Sequence, residues 1–237
     1  MKYSKFADAQ RAVEKIAEEF LAYSRQAKPV HISLSGGSTP KLLFKTLAEE
    51  YAEKINWTNL HFWWGDERCV APDDEESNYG EVQRLLLDHI QMPAENIHRI
   101  RGEDEPEAEA ARFAAEMLAL VPKNSAGVPE FDWIILGMGT DGHTASLFPL
   151  QVDFNSRALT IVAKQPQSGQ LRVSKSAYLI ENTKRLTYLV TGASKADLLR
   201  EIQQAGTNEL PYPAARVKAN NGNTEWYLDA DAASQLL

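Results

Sequence analysis

Residues 131–149 read FDWIILGMGTDGHTASLFP. The run 131–136 is apolar, and its length and composition suit a strand buried inside a sheet. It breaks at Gly137, Gly139 and Gly142, with Asp141 and His143 among these glycines. Thr144 and Ser146 follow, and Pro149 closes the segment. In open α/β sheets ligands bind beyond the carboxyl ends of the strands. An acid and a histidine in the turn after a buried strand are therefore candidates for a site. An ordinary tight turn, with Asp141 supplying its hydrogen bonds, has the same composition.

The segments on either side decide the fold class. Val13, Ile16, Phe20 and Leu21 recur at helical spacing and predict a helix over 6–23. Strands are predicted over 30–34 and 60–64, the first followed by a helix over 41–50 with Pro40 at its first position and Ser38 or Thr39 as cap. Ser77 can cap a helix over 78–90; a short strand over 97–100 and an alanine-rich helix over 107–120 come next. Beyond Pro149 the pattern predicts a strand over 159–163, a polar loop over 165–170, an extended stretch over 172–180 and a strand over 186–191. A helix over 194–204, a rigid proline-rich connection at 210–213, a strand over 225–228 and a last helix over 230–237 complete it. Strands alternate with helices, which implies an α/β fold: a doubly wound, mostly parallel sheet with helices on both faces. No repeat, low-complexity tract or long linker interrupts residues 1–237, so one domain is expected.

Composition narrows the function. Of the 237 residues 43% are hydrophobic and 24% charged, an ordinary globular balance with ample material for a core. The net charge is −8 and no basic stripe stands out, so no nucleic-acid partner is expected. The first twenty residues contain no apolar run, which argues against a signal peptide, and no stretch is long enough to span a membrane. With a single cysteine, Cys69, there is no intramolecular disulfide framework. These features fit a cytoplasmic protein. An anionic ligand would need a site locally positive against the overall charge.

Four places can carry chemistry. Ser35-Gly36-Gly37-Ser38-Thr39-Pro40 joins a strand to a helix start, where backbone N–H groups, the helix dipole and two hydroxyls can meet an anion. Its spacing is neither that of a Walker loop nor of the dinucleotide fingerprint, and it also reads as a plain strand-to-helix turn. Asp66-Glu67-Arg68 follows another strand; Arg68 can grip a phosphate or oxyanion with two hydrogen bonds, or simply sit in a solvated loop. Cys69 beside it reads as a small buried residue rather than a nucleophile. Asp141 and His143 are too few for a metal site, the other histidines are scattered, and Gly-x-Ser-x-Gly is lacking. That leaves His143 as a general acid/base. Lys195 stands at a helix start, where a cation opposes the dipole unless an anion is near; Arg172 is a second cation that reads equally as an exposed strand charge.

Together these residues resemble the 6-phosphogluconolactonases within the glucosamine-6-phosphate isomerase/6-phosphogluconolactonase family. The matching pieces are SLSGGSTP (33–40), WWGDERCVAPDDEESNYG (63–80), residues 131–149, Arg172-Val173-Ser174, VTGASKA (190–196) and LPYPAARV (210–217). They follow the family's order across most of the chain. The resemblance implies a modified Rossmann-like domain and lactone hydrolysis on 6-phospho-D-glucono-1,5-lactone, without metal or organic cofactor, in a monomer or small homo-oligomer. It also implies roles. His143 would activate water, oriented by Asp141 or Asp66. Arg68 with the N–H groups at Gly36 and Gly37 would meet the oxyanion. Ser38, Thr39, Arg172 and Lys195 would hold the phosphate. Deaminase members place a glutamate before the proline that closes the histidine motif; here Phe148 stands there. Glucosamine-6-phosphate deamination and non-catalytic sugar-phosphate sensing are the alternatives. Lys175 and Glu181 depart from the apolar residue and asparagine usual at these positions.

Overall fold

A computed structural model describes residues 1–205 and 210–237. Along the chain run β1 (Tyr3–Phe6), α1 (Ala9–Ser24), β2 (Val30–Leu34), α2 (Ser38–Glu50), β3 (Leu60–Trp64), β4 (Asp66–Arg68), α3 (Asn78–Leu85), β5 (Ile97–His98) and α4 (Pro106–Leu120). Then come β6 (Trp133–Leu136), β7 (Thr160–Lys164), β8 (Leu171–Lys175), α5 (Ala177–Glu181), β9 (Leu186–Val190), α6 (Ala196–Gln204), α7 (Pro213–Arg216) and β10 (Thr224–Asp229).

Seven strands pair in parallel in the order β1-β10-β9-β6-β2-β3-β5. Every residue of β2, β6 and β9 is buried, so layers cover both faces of the sheet, as expected of a doubly wound α/β fold. From β2 the chain winds outward through β3 to β5; from β6 it winds the other way through β9 to β10. β2 and β6 lie side by side and their following loops diverge. This is a topological switch point, where such sheets bind ligands. The aromatic core lies beneath it: Phe20 meets Phe62 and Trp133 at ring distances of 5.8 and 5.3 Å, all three fully buried. Burial of each phenylalanine contributes about 2–3 kcal/mol.

β7 and β8 fall on the strand and the extended stretch expected over 159–163 and 172–180, but the second sheet that they form with β4 is not legible in the sequence pattern. β4, β8 and β7 pair antiparallel, with Asp66 opposite Ser174 and Arg68 opposite Arg172. Gly65 joins it to the main sheet: its N–H donates to Leu34 O (2.8 Å), and its carbonyl accepts from Lys175 N (2.8 Å). Other boundaries move for local reasons. Asp8 caps α1 by accepting from Arg11 N at 2.8 Å, so the helix starts at Ala9 rather than at residue 6, and residues 3–6 form an edge strand. The stretch expected to stay extended to residue 180 turns into α5, because Ser176 Oγ accepts from Leu179 N. Residues 78–90 form a shorter helix followed by a 3-10 turn, Leu87–His89. No helix forms over 230–237. Asp229 accepts from Ala232 N (2.8 Å) and Gly192 N (3.0 Å), giving the backbone an alternative to a helix. Among the described residues no helix is long and apolar enough to cross a membrane.

His31, His61 and His98 stack across β2, β3 and β5, with ring centroids 4.7 and 5.3 Å apart. The indole of Trp63 donates to His31 Nδ1 at 3.1 Å. Burial, and then the neighbouring His61, push the His31 imidazole from 6.5 down to about 4. The unfolded chain therefore takes up this proton first as pH falls from 6.5 towards 4. Stability is intact above that window and drops within it by up to about 3 kcal/mol. His31→Gln keeps an acceptor for the indole but cannot titrate. Its melting temperature should fall less between those pH values than that of the parent; an equal fall would assign the acid loss to other groups.

Candidate active site

Two loops at the switch point build the site. After β2, Ser35 Oγ donates to Ile135 O (2.8 Å), tying the first loop to β6. Gly37 then takes φ +115°, a conformation that favours glycine, and turns the chain into α2. Neither Ser38 nor Thr39 caps that helix, contrary to the sequence expectation: both lie inside its first turn, and Pro40 is its third residue. The first N–H groups of a helix lack intrahelical partners, so this turn remains a donor surface. Thr39 Oγ1 meets Thr191 Oγ1 at 2.6 Å, joining the loop after β2 to the segment after β9.

After β6 the chain folds back on His143. Gly139 N donates to His143 O (2.9 Å). A β-carbon on Gly139 would lie 2.2 Å from the imidazole ring, so only glycine admits this approach. Asp141 Oδ1 accepts from both His143 N (3.1 Å) and His143 Nδ1 (2.5 Å). Burial raises the Asp141 carboxyl, but the hydrogen bonds and charge of His143 outweigh it and hold the group below the usual carboxylate range. An ionised Asp141 fixes the proton on Nδ1 and leaves the Nε2 lone pair free. The imidazole lies against Phe148, which is 1% exposed, at 5.2 Å between ring centroids. Asp66, the other expected partner, is engaged elsewhere: its Oδ2 accepts from Ser146 Oγ at 2.6 Å.

The cations reach the same place from distant segments. Arg68 and Arg172 stand opposite each other on β4 and β8. The Nε of each is buried without a hydrogen-bond partner, and neither forms a carboxylate ion pair among the described residues. Arg172 lies 5.8 Å over the Phe148 ring. Burial lowers its pKa, Asp66 opposes that, and the like charge of Arg68 adds to it. Burial also lowers Lys195, with Asp141 opposing. A cavity of about 240 Å³ opens between these groups. Nine of the ten predicted residues line it: Gly36, Gly37, Ser38 and Thr39 on one side, with Asp66, Arg68, His143, Arg172 and Lys195 around the rest. Asp141 stands behind His143. Cations with no carboxylate ion pair among the described residues thus gather at one point of an acidic chain.

Several contributors were not singled out from sequence. Asn78 lines the cavity and donates to Asp66 O (3.0 Å). Glu67, 2% exposed, accepts from the N–H groups of Arg68, Asn78 and Tyr79, each at 2.8 Å, and from Ser77 Oγ. It thereby fixes the start of α3 beside the site. The signals available were the Asp66-Glu67-Arg68 triplet and the polar pair Ser77-Asn78, which reads locally as a helix cap. Cys69 is half-buried; burial and the Glu67 carboxylate push its thiol up, the opposite of a reactive thiolate. Among the described residues no three His, Cys, Asp or Glu side chains are placed to hold a metal ion.

Residues 4–226 match the family model for glucosamine-6-phosphate isomerases/6-phosphogluconolactonase. The chain is 66% identical to the 6-phosphogluconolactonase of Haemophilus influenzae over the full length of both. The solved structure of 6-phosphogluconolactonase from Trypanosoma brucei is 28% identical with a TM-score of 0.84, covering 100% of this chain and 98% of that one. A monomeric glucosamine-6-phosphate deaminase, 20% identical, has the same fold with a TM-score of 0.83 over 99% of this chain and 100% of its own. The fold therefore hosts both chemistries, and the site has to distinguish them.

Proposed function

This chain belongs to the glucosamine-6-phosphate isomerase/6-phosphogluconolactonase family, and we propose that within it the chain hydrolyses 6-phospho-D-glucono-1,5-lactone to 6-phospho-D-gluconate, a step of the oxidative pentose phosphate route. The observation that carries this reading is the imidazole oriented by Asp141 on one side and packed on Phe148 on the other. A lactone is an activated ester, so one well-placed base suffices. Deamination of an amino sugar requires further acid/base groups for ring opening, and the apolar Phe148 supplies none.

His143 Nε2 takes a proton from water as the water oxygen adds to the lactone carbonyl carbon. The charge that develops on the carbonyl oxygen is met by Arg68 and by backbone N–H groups near Gly36 and Gly37; each good donor contributes about 3 kcal/mol. The intermediate collapses by breaking the bond to the ring oxygen, which receives the proton from the imidazolium. The product acid then releases one proton to solvent. Asp141 keeps Nδ1 protonated throughout and stabilises the imidazolium. Ser38, Thr39, Arg172 and Lys195 hold the phosphate and so set the carbonyl against His143. Asp66, bonded to Ser146, sets the wall of the cavity. No step calls for a metal or organic cofactor. We place the reaction in the cytoplasm, in a single-domain monomer or small homo-oligomer.

Acid release from freshly generated lactone, corrected for spontaneous hydrolysis, tests this beside ammonia release from glucosamine 6-phosphate. Acid release with no ammonia is expected, and its rate should be unchanged by chelator. Ammonia release without lactone hydrolysis would assign the deaminase reaction instead. A chelator-sensitive rate restored by a divalent ion would overturn the metal-free mechanism.

A further inference from the structure

Lys175 is a buried ionisable group to which the mechanism gives no task. Lys175 is fully buried, at the last position of β8. Its Nζ donates to Ser33 Oγ at 3.1 Å and to the carbonyl of Trp64. It also lies over the rings of Phe131 and Phe113, at 4.7 and 5.0 Å. Its backbone N–H donates to the next carbonyl, that of Gly65. A single residue thus grips both carbonyls of the Trp64-Gly65 link, where β3 of the parallel sheet passes into β4 of the small one. Through Ser33 it also reaches β2, two residues before the loop that begins at Ser35. Burying an amine is costly relative to an apolar chain of similar length. Burial accordingly drives this amine well below its usual range, against the pull of Asp66 and Glu116.

Both guanidiniums are carried on the strands that meet at this junction. Arg68 is four residues beyond Trp64, and Arg172 is three residues before Lys175 on the same strand. They face each other across β4 and β8. The glycine loop opposite them is carried by β2, to which Lys175 is bonded through Ser33. A shift of the small sheet on the large one would move both arginines relative to that loop. We propose that Lys175 is a positioning residue, whose bonds to Trp64 O and Ser33 Oγ set the small sheet on the large one and so place Arg172 and Arg68 against the substrate. The inference rests on the reading above in which Arg172 holds the phosphate.

A double-mutant cycle tests it. Lys175→Met keeps the length and apolar stem and removes the donors. If Lys175 acts through Arg172, Lys175→Met should raise KM for the lactone about tenfold in the parent chain. In an Arg172→Ala background the same change should raise KM less than about twofold, because the group it positions is gone. An unchanged KM in the parent, or an equal factor in both backgrounds, would overturn the proposal and leave Lys175 a packing residue. Should Lys175→Met not fold, Ser33→Ala removes one anchor of the amine and is put through the same cycle with the same expectation. The Arg172→Ala arm separates the two readings. If Arg172→Ala alone leaves KM unchanged, the phosphate assignment fails and this inference falls with it. A raised KM there, with no effect of Lys175→Met or Ser33→Ala, defeats the positioning role alone.

Discussion

Replacing His143 with alanine is expected to lower kcat by about 10³-fold while KM stays within about threefold. Among the described residues at the cavity, the imidazole is the only group that combines a free nitrogen lone pair with an anchored partner. Its Nδ1 is held by Asp141 at 2.5 Å, and its ring is fixed between Phe148 and the backbone of Gly139. Removing it deletes proton transfer in both the addition and the ring-opening step but leaves the phosphate contacts in place, so binding should survive. Asp141→Asn is the companion test. An amide side chain can donate to Nδ1 and so stabilises the tautomer with Nε2 protonated, the wrong one for a base. A loss of about 10²-fold in kcat is expected there, again at near-constant KM. If His143→Ala left kcat unchanged, water activation by this residue would be untenable.

The second large effect divides the two arginines. Arg172→Ala is expected to raise KM at least tenfold, since one partner of a buried charged contact is worth about 2–5 kcal/mol. Arg68→Ala is expected to lower kcat by about 10²-fold through loss of an oxyanion donor. Both side chains are buried around Nε with no partner there, so each has capacity to spare for a ligand. Steady-state kinetics on the purified variants read the split directly. If Arg68→Ala instead moved only KM, both guanidiniums would belong to the phosphate, and the oxyanion would depend on the backbone N–H groups beside Gly36 and Gly37. Lysine should rescue Arg172 poorly, because an ammonium cannot make the paired hydrogen bonds of a guanidinium.

Much of this site is readable before any coordinates. Gly36 to Thr39 and Asp141 to His143 follow strands that the sequence pattern predicts, and β2 and β3 occupy the residues expected of them. Such strands are buried on both faces, so their composition alone sets them apart. Other features carry no comparable signal. Asp66-Glu67-Arg68 has no strand propensity. It forms β4 because β8 offers a partner and because the Asp66 and Glu67 carboxylates find internal donors. Residues 230–237 have a helical composition, yet a single carboxylate, Asp229, diverts the backbone into turns. β1 is a short edge strand with two of four residues exposed, so it shows no alternation to read.

The division of labour between chain and fold is clearest at the cations. Sequence alone determined the α/β class, the glycine loops beyond the central strands, and the presence of an acid two residues before a histidine in one of them, because each follows from local periodicity or local spacing. Local pattern could name Arg68, Arg172 and Lys195 as candidates, and only the family resemblance put them at one site, since residues 23 to 127 positions apart share no local pattern. Only the tertiary structure decided that β4 and β8 lie side by side, that Asp141 rather than Asp66 holds His143, and that a buried lysine ties the two sheets. The physical reason is that these contacts depend on the register between strands from different parts of the chain, which packing of the whole core selects.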